Sequence, residues 1–393
     1  MFVRDFLWPV VVGLILMYLL PLLTDAYTLT VLTAYAMLAL SLGFIWGFAG
    51  ILCFGQAAFF GLGAYAFAIA SINIGTPWLP FFIAILVPAL FAAVFGAVLF
   101  YGRLSDVYLA VVTLVMTLIL FKFMNSSAGD GYKLGTARLG GYNGIPGFET
   151  LTLPWDSTEY LYDTSLYYFA FLLLIIVYTG LRFLLRLPFG RALIGIRENE
   201  LRAELMGYDI RLLKTIAFSI GASVAGLAGC IYANWAEIVT PALFSLGQSA
   251  EIIIWVIVGG AGTLMGPVIG AALLGYTKFL LGQQSVIDNT FILGVILVLA
   301  VLILPNGIFP ALVSIAKRIS AKFSFGRNAR NRTTRRHRDF QQREGLSNED
   351  DIQGTSPRIG LRNSLRNDPS DPHNDHRNDH RNDNDSASID QRL

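Results

Sequence analysis

Uninterrupted apolar runs, each long enough to cross a lipid bilayer, recur along most of this chain and limit the folds open to it. Of its 393 residues, 54% are hydrophobic and 14% are charged, whereas about a quarter are charged in ordinary soluble domains. Because lipid offers the backbone no hydrogen bonds, only helices and closed barrels cross a membrane. The runs lack the alternation of barrel strands. The sequence therefore predicts an all-α, polytopic transmembrane helical bundle.

About ten membrane-embedded helical segments are expected, broken helices included, with bounds approximate to a few residues. They are residues 6–23, 29–47, 51–71, 78–101, 107–124, 165–185, 212–233, 250–260, 264–282 and 290–305. The first segment is interpreted as a retained span and not as a signal peptide. It lacks a small-x-small cleavage site, and many further spans follow it.

Basic residues are unevenly distributed over the two longest connections between spans. The connection at 186–211 and its flanks are rich in them: Arg182, Arg186, Arg191, Arg197, Arg202, Arg211 and Lys214. The connection at 125–163 holds only Lys133 and Arg138. Cytoplasmic loops carry the excess of Lys and Arg. We therefore expect 186–211 to be cytoplasmic, 125–163 to be external and, with ten crossings, both termini to be cytoplasmic.

Two regions differ in composition. Residues 1–316 form the predicted transmembrane domain, and residues 317–393 form a basic and then polar tail with the composition of a disordered segment. The basic part of the tail suits an anionic membrane surface, and a plain solvated tail explains it equally well. The histidines at 373, 376 and 380 have a spacing that suits a metal on a helix, but Asn and Asp around them are poor helix formers. No metal site is predicted.

Residues 190–209 form a charged, helix-forming insert between two apolar runs. Asn199 is an N-cap candidate, Glu198 and Glu200 suit a helix N-terminus, and Gly207 suits a left-handed C-terminal cap. The apolar positions between these caps are Leu201, Ala203, Leu205 and Met206. The pattern predicts one short amphipathic helix outside the membrane. It lies either on the bilayer surface or in a groove of another protein, and the mixture of Glu with Arg favours the groove.

Glycine-rich stretches interrupt two of the apolar regions. Residues 257–267 divide one region into a short run and a longer run, and residues 50–65 place small residues at close intervals. Broken helices are tolerated at membrane depth only where protein or a water-filled cavity covers the freed backbone. Close helix packing explains single glycines equally well.

The chain has no motif of an enzyme. It contains no phosphate-binding loop, no zinc-ligand cluster and no Gly-x-Ser-x-Gly turn. Ionisable residues are scarce in the spans, which argues against coupling to a proton gradient. The exceptions, Lys122, Glu251 and Lys278, lie near the ends of segments, and both lysines are expected to extend towards the membrane interface.

Four motifs in order, over about residues 30 to 310, resemble those of the branched-chain amino-acid permease family of ABC importers. The spacing Ala203-x-x-x-Gly207 is similar to the coupling segment of ABC permeases. Residues 50–65 resemble the family's Gly-Leu-Leu-Ser-Leu-Gly-His/Gln-Ala-Ala-Phe-Phe-Gly-Ile-Gly-Ala-Tyr, and residues 141–145 resemble its Gly-Gly-x-Asn-Gly-Ile. Residues 259–270 resemble its Gly-Gly-x-Gly-Thr-Leu-x-Gly-Pro-x-x-Gly.

The resemblance implies an M-type permease subunit that moves branched-chain or related hydrophobic amino acids inward across a bacterial inner membrane. The implied partners are a homologous permease subunit, two ATPase subunits that bind ATP and Mg, and a periplasmic or external substrate-binding protein. Membrane lipid surrounds the spans, and no nucleic acid and no cofactor of this chain are expected. Relatives carry urea and short-chain amides, and Cys53 replaces the usual Ser, so an amide permease stays an alternative, with a passive channel or a secondary transporter as competing classes.

The resemblance also assigns site residues. Those expected to couple to the ATPases are Arg191, Arg197, Glu198, Asn199, Glu200, Ala203 and Gly207. Those expected along the translocation path are Gly55, Gln56, Tyr65, Asn143, Gly259, Gly260, Gly262, Thr263 and Gly266. Backbone N–H groups at the break near 259–266, together with Gln56, are candidates to meet a substrate carboxylate. A pore without tight contacts, with specificity in the binding protein, is the alternative.

Overall fold

The computed structural model describes residues 2–76, 78–129, 131–153, 156–282, 294 and 307–311. The tenth predicted segment, apart from residue 294, and the predicted tail at 317–393 lie outside the described residues. The other nine predicted segments each contain a helix. The chain is therefore a helical, multi-pass membrane protein, as its apolar runs predict.

Eleven α-helices follow one another in the described part of the chain. They are α1 Phe2–Leu19, α2 Ala26–Ala49, α3 Gln56–Ile74, α4 Trp78–Tyr101, α5 Asp106–Ser126, α6 Thr164–Arg186, α7 Pro188–Glu198, α8 Glu200–Leu205, α9 Ile210–Ala236, α10 Leu246–Gly259 and α11 Met265–Gly282. Short 3-10 turns lie at Leu20–Leu22, Gly141–Asn143 and Pro241–Phe244. Within the described residues, six of the helices, α2 to α6 and α9, are long and apolar enough to span a membrane. The apolar stretches at Trp8–Leu22, α10 and α11 are shorter.

Helix α2 forms the centre of the bundle and is the most buried of the candidate membrane spans described. It packs against α9, α11, α6 and α10, and α9 packs in turn against α3 and α4. Small residues permit this closeness: a Cβ added to Gly63 would overlap the backbone of Gly226, and one added to Gly229 would overlap the Phe60 carbonyl. Close backbone approach of this kind is the usual way in which helices associate in lipid.

A non-helical segment separates α2 from α3. Gly50 ends α2 with a φ of +73°, a left-handed conformation that favours glycine. The next helix begins only at Gln56. The predicted start of this span was residue 51, which is five residues before the observed start of α3. A buried turn of irregular backbone, which apolar composition alone does not reveal, occupies the difference.

Short antiparallel strands, which were not predicted, lie between the helices at one end of the bundle. They are β1 Lys133–Leu134, β2 Ala137–Arg138, β3 Ile145–Pro146, β4 Thr152–Leu153, β5 Asp156–Tyr160 and β6 Ile238–Val239. They form the pairs β1–β2, β3–β6 and β4–β5. We call this end of the bundle the hairpin end. The pair β3–β6 joins the 125–163 connection to the chain that follows α9.

The opposite end of the bundle carries α7 and α8, and we call it the α8 end. Helix α2 runs between the two ends. At its start, the Tyr27 carbonyl accepts a hydrogen bond from Trp235 Nε1, close to β6, at 2.9 Å. At its end, the Gly47 carbonyl accepts one from Arg197 of α7.

Candidate functional site

Helix α8 begins with the predicted cap. Asn199 has an extended backbone (φ −162°, ψ 104°), and its side-chain oxygen accepts a hydrogen bond from the Arg202 N–H at 2.9 Å. Glu200 is the first helical residue, where a carboxylate is favoured by the helix dipole. The Asn199 side chain thus pairs with a backbone N–H that has no partner within the helix.

The predicted left-handed cap closes the other end of α8. Gly207 has a φ of +86°, and its N–H donates to the Glu204 carbonyl at 2.9 Å. The Tyr208 N–H donates to the Ala203 carbonyl at 3.3 Å. A Cβ added to Gly207 would meet nothing within 4 Å, so only the backbone conformation requires glycine here.

A second helix, which was not predicted, precedes α8. Helix α7 begins with Pro188, a favoured first-turn residue, and ends at Glu198. Glu198 therefore lies at the end of α7 and not in the first turn of α8, which corrects the prediction of one helix. Leu193 and Ile196 are completely buried, and α7 packs against α6 and α2. The proline and the spacing of these apolar residues were a signal for this helix.

Helix α8 presents apolar side chains away from the bundle. Its buried residue is Ala203, whereas Leu201, Leu205 and Met206 are 68%, 81% and 74% exposed. We call Leu201, Leu205 and Met206 the tip patch. Contiguous exposed apolar residues between charged neighbours mark interaction surfaces.

Charged side chains hold α8 against α9 and α4. Glu200 pairs with Lys214 of α9, whose side chain is almost completely buried. The Lys214 ammonium also lies 6.0 Å from the ring centroid of Phe100, near the end of α4. Arg211 lies 5.7 Å from the ring centroid of Tyr101. Cation–π contacts of this kind add to the ion pair, so Glu200 is tied to two membrane helices.

Arg197 connects α7 to the end of α2. Its guanidinium donates to the Gly47 carbonyl, and a Cβ added to Gly50 would lie 3.2 Å from Arg197 Cγ. A cation is favoured at a helix C-terminus, where the last carbonyls lack partners within the helix. Arg197 therefore contacts the membrane part of the molecule directly. Arg191, which is also on α7, is exposed.

The segment after α2 is held at membrane depth by α5 and α9. The Phe54 N–H donates to Thr113 Oγ1 at 3.3 Å, and a Cβ added to Gly55 would lie 2.7 Å from the Thr113 carbonyl oxygen. Gln56 Nε2 donates to Ser41 Oγ at 2.7 Å and to the Gly221 carbonyl at 3.4 Å. These contacts position Gln56 between α2 and α9.

Several buried polar atoms near Gln56 and the start of α10 lack a hydrogen-bond partner among the described residues. They are Gln56 Oε1, Tyr65 Oη, Gln248 Nε2 and Ser249 Oγ. The ring centroid of Tyr65 lies 5.6 Å from that of Phe244, which precedes α10. Each unsatisfied buried group is costly and calls for an explanation, such as water or a ligand. Gln248 and Ser249 were not predicted as site residues, because their role depends on the packing of α10 against α3.

The predicted break between α10 and α11 is present and lies at the α8 end. A Cβ added to Gly47 would overlap the Ala261 carbonyl. Thr263 Oγ1 accepts a hydrogen bond from the Gly266 N–H at 3.0 Å and donates one to the Gly260 carbonyl at 3.3 Å. The Gly260 N–H donates to the Val256 carbonyl at 2.9 Å, and the Thr263 N–H donates to the Gly260 carbonyl at 3.3 Å. At least three of the backbone donors expected to meet a carboxylate are thus already paired.

The predicted path residues therefore form separate groups and not one cluster. Gly55, Gln56 and Tyr65 lie at α3, whereas Asn143 is exposed at the hairpin end. The remaining residues belong to the break beside Gly47: Gly259, Gly260, Gly262, Thr263 and Gly266. A Cβ added to Gly262 would meet nothing within 4 Å.

An ion pair joins α10 to α11. Lys278 Nζ lies 2.7 Å from Glu251 Oε1 and 2.8 Å from Oε2. The ammonium of Lys278 contacts Glu251 near the end of α11, and Lys122 is exposed near the end of α5. The extension of both lysines towards the membrane interface stays a prediction.

A cavity of about 550 Å³ opens at the hairpin end. Its lining residues are Gly147, Phe148, Glu149, Thr150, Tyr160, Tyr162 and Glu237. The two carboxylates and two phenols make it acidic and aromatic. Among the described residues, no group of three or more His, Cys, Asp or Glu side chains is arranged to hold a metal ion.

Comparison with known proteins gives one consistent family. Residues 26–304 match the family model described as branched-chain amino acid transport system / permease component. The chain is 30% identical over 305 residues to the high-affinity branched-chain amino acid transport system permease protein LivM of Escherichia coli, covering 73% of this chain and 69% of that protein. It is 25% identical over 327 residues to a probable branched-chain amino acid transport permease protein LivM of Methanocaldococcus jannaschii, covering 70% and 90%. No solved structure matches the chain significantly.

Proposed function

Because this chain belongs to the family of branched-chain amino acid transport system permease components, we propose that it is the membrane subunit of an ABC importer. In this proposal it moves branched-chain or related hydrophobic amino acids inward, and ATP hydrolysis on separate subunits drives the movement. A homologous permease subunit completes the pore, two ATPase subunits bind ATP and Mg, and an external binding protein delivers the substrate.

The tip patch is the observation that carries the proposal. Leu205 and Met206 are among the most exposed apolar side chains described, and they stand on a helix that is capped at both ends. A short, rigid helix with an exposed apolar face is suited to insertion into a groove of another protein. We propose that the ATPase subunit provides this groove, and that the α8 end therefore faces the cytoplasm of a bacterial inner membrane, as do both termini.

Two connections would carry movement of α8 into the membrane. The first is the Glu200–Lys214 pair, which joins α8 to α9. The second is Arg197, which joins α7 to the Gly47 carbonyl, beside which the α10–α11 break packs. In our proposal, ATP-driven closure of the ATPases moves α7 and α8 together, and the helices held by these contacts tilt to open the path inward.

The unsatisfied polar atoms of Gln56, Tyr65, Gln248 and Ser249 support a path beside α3 and the start of α10. A path that carries a polar solute through lipid must offer such groups to water and to the solute. Specificity in the external binding protein fits this arrangement as well, because the path then needs no tight site. The acidic cavity at the hairpin end would receive the substrate from that protein.

Uptake into proteoliposomes tests the proposal. The complex is purified through the full-length chain from its native membranes and reconstituted with its binding protein outside and ATP inside. We expect labelled leucine to accumulate only with ATP. Leu205→Asp, which places a charge in the tip patch, should abolish ATP-dependent uptake. ATPase activity should also no longer co-purify with the chain. Leu134→Asp is the matched control, since Leu134 is 54% exposed at the hairpin end.

Other outcomes separate the alternatives. Leucine flux without ATP, unchanged by Leu205→Asp, would establish a passive channel and refute the proposal. ATP-dependent uptake of urea or acetamide in place of leucine would keep the importer and replace the substrate. Uptake that an ionophore abolishes while ATP is absent would indicate a secondary transporter.

A further inference from the structure

The Glu251–Lys278 pair is a charged site within the bundle for which the proposed coupling has no use. Its bidentate geometry, at 2.7 and 2.8 Å, is that of a full ion pair. Glu251 lies on α10 and Lys278 on α11, so the two helices hold it from opposite sides. Ionisable residues inside membrane proteins are rare and mark substrate or ion paths more often than not.

The depth of the pair follows from its neighbours on α2. A Cβ added to Gly275 would lie 2.7 Å from Leu32 and 3.6 Å from Tyr35. With a rise of about 1.5 Å per residue, these side chains lie about 9 and 14 Å along α2 from its start at the hairpin end. Lys278 is one turn beyond Gly275 in the direction of that end. The pair therefore lies within about 10 Å of the hairpin end of α2.

The pair is not fully covered by the described residues. The side chains of Lys278 and Glu251 are 35% and 19% exposed. A charged pair close to the end of the bundle reaches water at low cost, because long charged side chains extend to the membrane interface. The open side of the pair is therefore within reach of a polar solute at the hairpin end.

Aromatic rings lie next to the pair. Trp255, one turn after Glu251, lies with its ring centroid 4.9 Å from that of Tyr35. Tyr35 also stacks on Tyr232 at 6.2 Å. One turn before Glu251, Gln248 Nε2 is buried without a hydrogen-bond partner among the described residues. The site thus combines an anion, a cation, a free amide donor and an apolar wall.

We propose that the Glu251–Lys278 pair binds the zwitterionic head group of the transported amino acid, with its ammonium on Glu251 and its carboxylate on Lys278. A zwitterion replaces each partner of the pair by a group of the same charge, so neither protein charge is left unpaired at depth. An unpaired buried charge is strongly unfavourable, and exchange of partners avoids it. Tyr35, which is partly buried, would contact the aliphatic side chain. This inference rests on the proposed function and adds the recognised group.

The test compares single and double variants in the reconstituted complex. Glu251→Gln and Lys278→Met each leave one charge unpaired, and we expect reduced abundance in the membrane. The double variant removes both charges and should regain abundance and binding-protein-stimulated ATP hydrolysis. Its leucine uptake per ATP should nevertheless fall by about tenfold, equivalent to about 1.4 kcal/mol. Lys122→Gln, which removes an exposed cation of α5, should leave this ratio unchanged.

A measurement on the unmutated complex does not depend on variant folding. A small, water-soluble, amine-reactive acylating reagent should label Lys278. Saturating leucine should slow this reaction while leaving the labelling of Lys122 unchanged. Mass spectrometry measures the labelling of both lysines. A double variant with wild-type uptake per ATP, or labelling of Lys278 that leucine does not alter, would overturn the assignment. Absence of ATP-dependent leucine uptake in the unmutated complex would instead refute the proposed substrate, on which this inference rests.

Discussion

The Arg197 guanidinium donates a hydrogen bond to the Gly47 carbonyl, 150 residues earlier in the chain. This bond ties the surface helix α7 to the last turn of α2, which is the most buried of the candidate membrane spans described. A carbonyl in the last turn of a helix has no partner within the helix and attracts cations. Arg197 therefore joins the surface helices to the bundle directly.

Replacement of Arg197 by Ala should weaken coupling more than stability. The lost charge-assisted hydrogen bond is worth about 1.5 to 3 kcal/mol where it is shielded from water, and less here because Arg197 is largely exposed. We expect ATP hydrolysis to continue while leucine uptake per ATP falls several-fold. Simultaneous measurement of phosphate release and uptake gives this ratio. Arg103→Gln removes another exposed arginine at the α8 end and should leave the ratio unchanged; an equal effect of both would contradict a specific role for Arg197.

Gly207 should tolerate Asn better than Val. Its φ of +86° costs a non-glycine residue about 1 to 2 kcal/mol, least for Asn. Gly207→Val should therefore disturb the end of α8 and reduce both the ATPase activity that co-purifies with the chain and the leucine uptake. Gly207→Asn should keep most of the co-purified ATPase activity and most of the uptake. Gly195→Ala in α7 is the control, since a Cβ there also meets nothing within 4 Å and its backbone is helical. Equal losses for Val and Asn would show that the backbone conformation is not the cause.

Gly47→Ala should destabilise the protein severely, whereas Gly262→Ala should not. The added Cβ at position 47 would overlap the Ala261 carbonyl, a backbone atom that cannot rotate away, but at position 262 it would meet nothing. Overpacking of this kind costs about 1 to 3 kcal/mol, and more where backbone is displaced. Thermal unfolding of the detergent-purified chain should show a lower Tm for Gly47→Ala alone. Similar Tm values for the two variants would show that a methyl group fits between position 47 and the Ala261 carbonyl, which contradicts their close packing.

Tyr65→Phe should separate a role in transport from a role in folding. The Tyr65 hydroxyl is buried without a partner among the described residues. Its removal therefore leaves no other group without a hydrogen bond, and Tm should be unchanged or raised. If the hydroxyl serves the path, uptake falls although Tm does not. Parallel thermal unfolding and uptake assays provide the comparison. A fall in Tm together with uptake would assign the hydroxyl a structural hydrogen bond instead.

Local signals in the sequence predicted local structure well. Residues 78–101 were predicted as a span, and α4 has those bounds because the run is continuously apolar between polar ends. Asn199 and Gly207 were predicted as caps because each acts on backbone within a few residues of itself. The proline at the start of α7 was an equally local signal, and it was overlooked.

Contacts between distant residues could not be predicted in the same way. Glu251 and Lys278 are 27 residues apart, and their pairing depends on how α10 and α11 align after the break. The strand pair β3–β6 depends on the position of the end of α9. Two-residue strands are too short for a periodic pattern to reveal them. Composition identifies the spans, but tertiary packing decides which polar groups meet between them.

Helix α9 extends without interruption over 27 residues, about 40 Å at 1.5 Å per residue. One of its ends is tied to α8 through Glu200, and the other leads directly into β6, which pairs with β3. A continuous helix of this length joins the two ends of the bundle directly. In the proposed coupling, a small tilt imposed beside α8 would shift Glu237, which caps the same helix and lines the acidic cavity at the hairpin end.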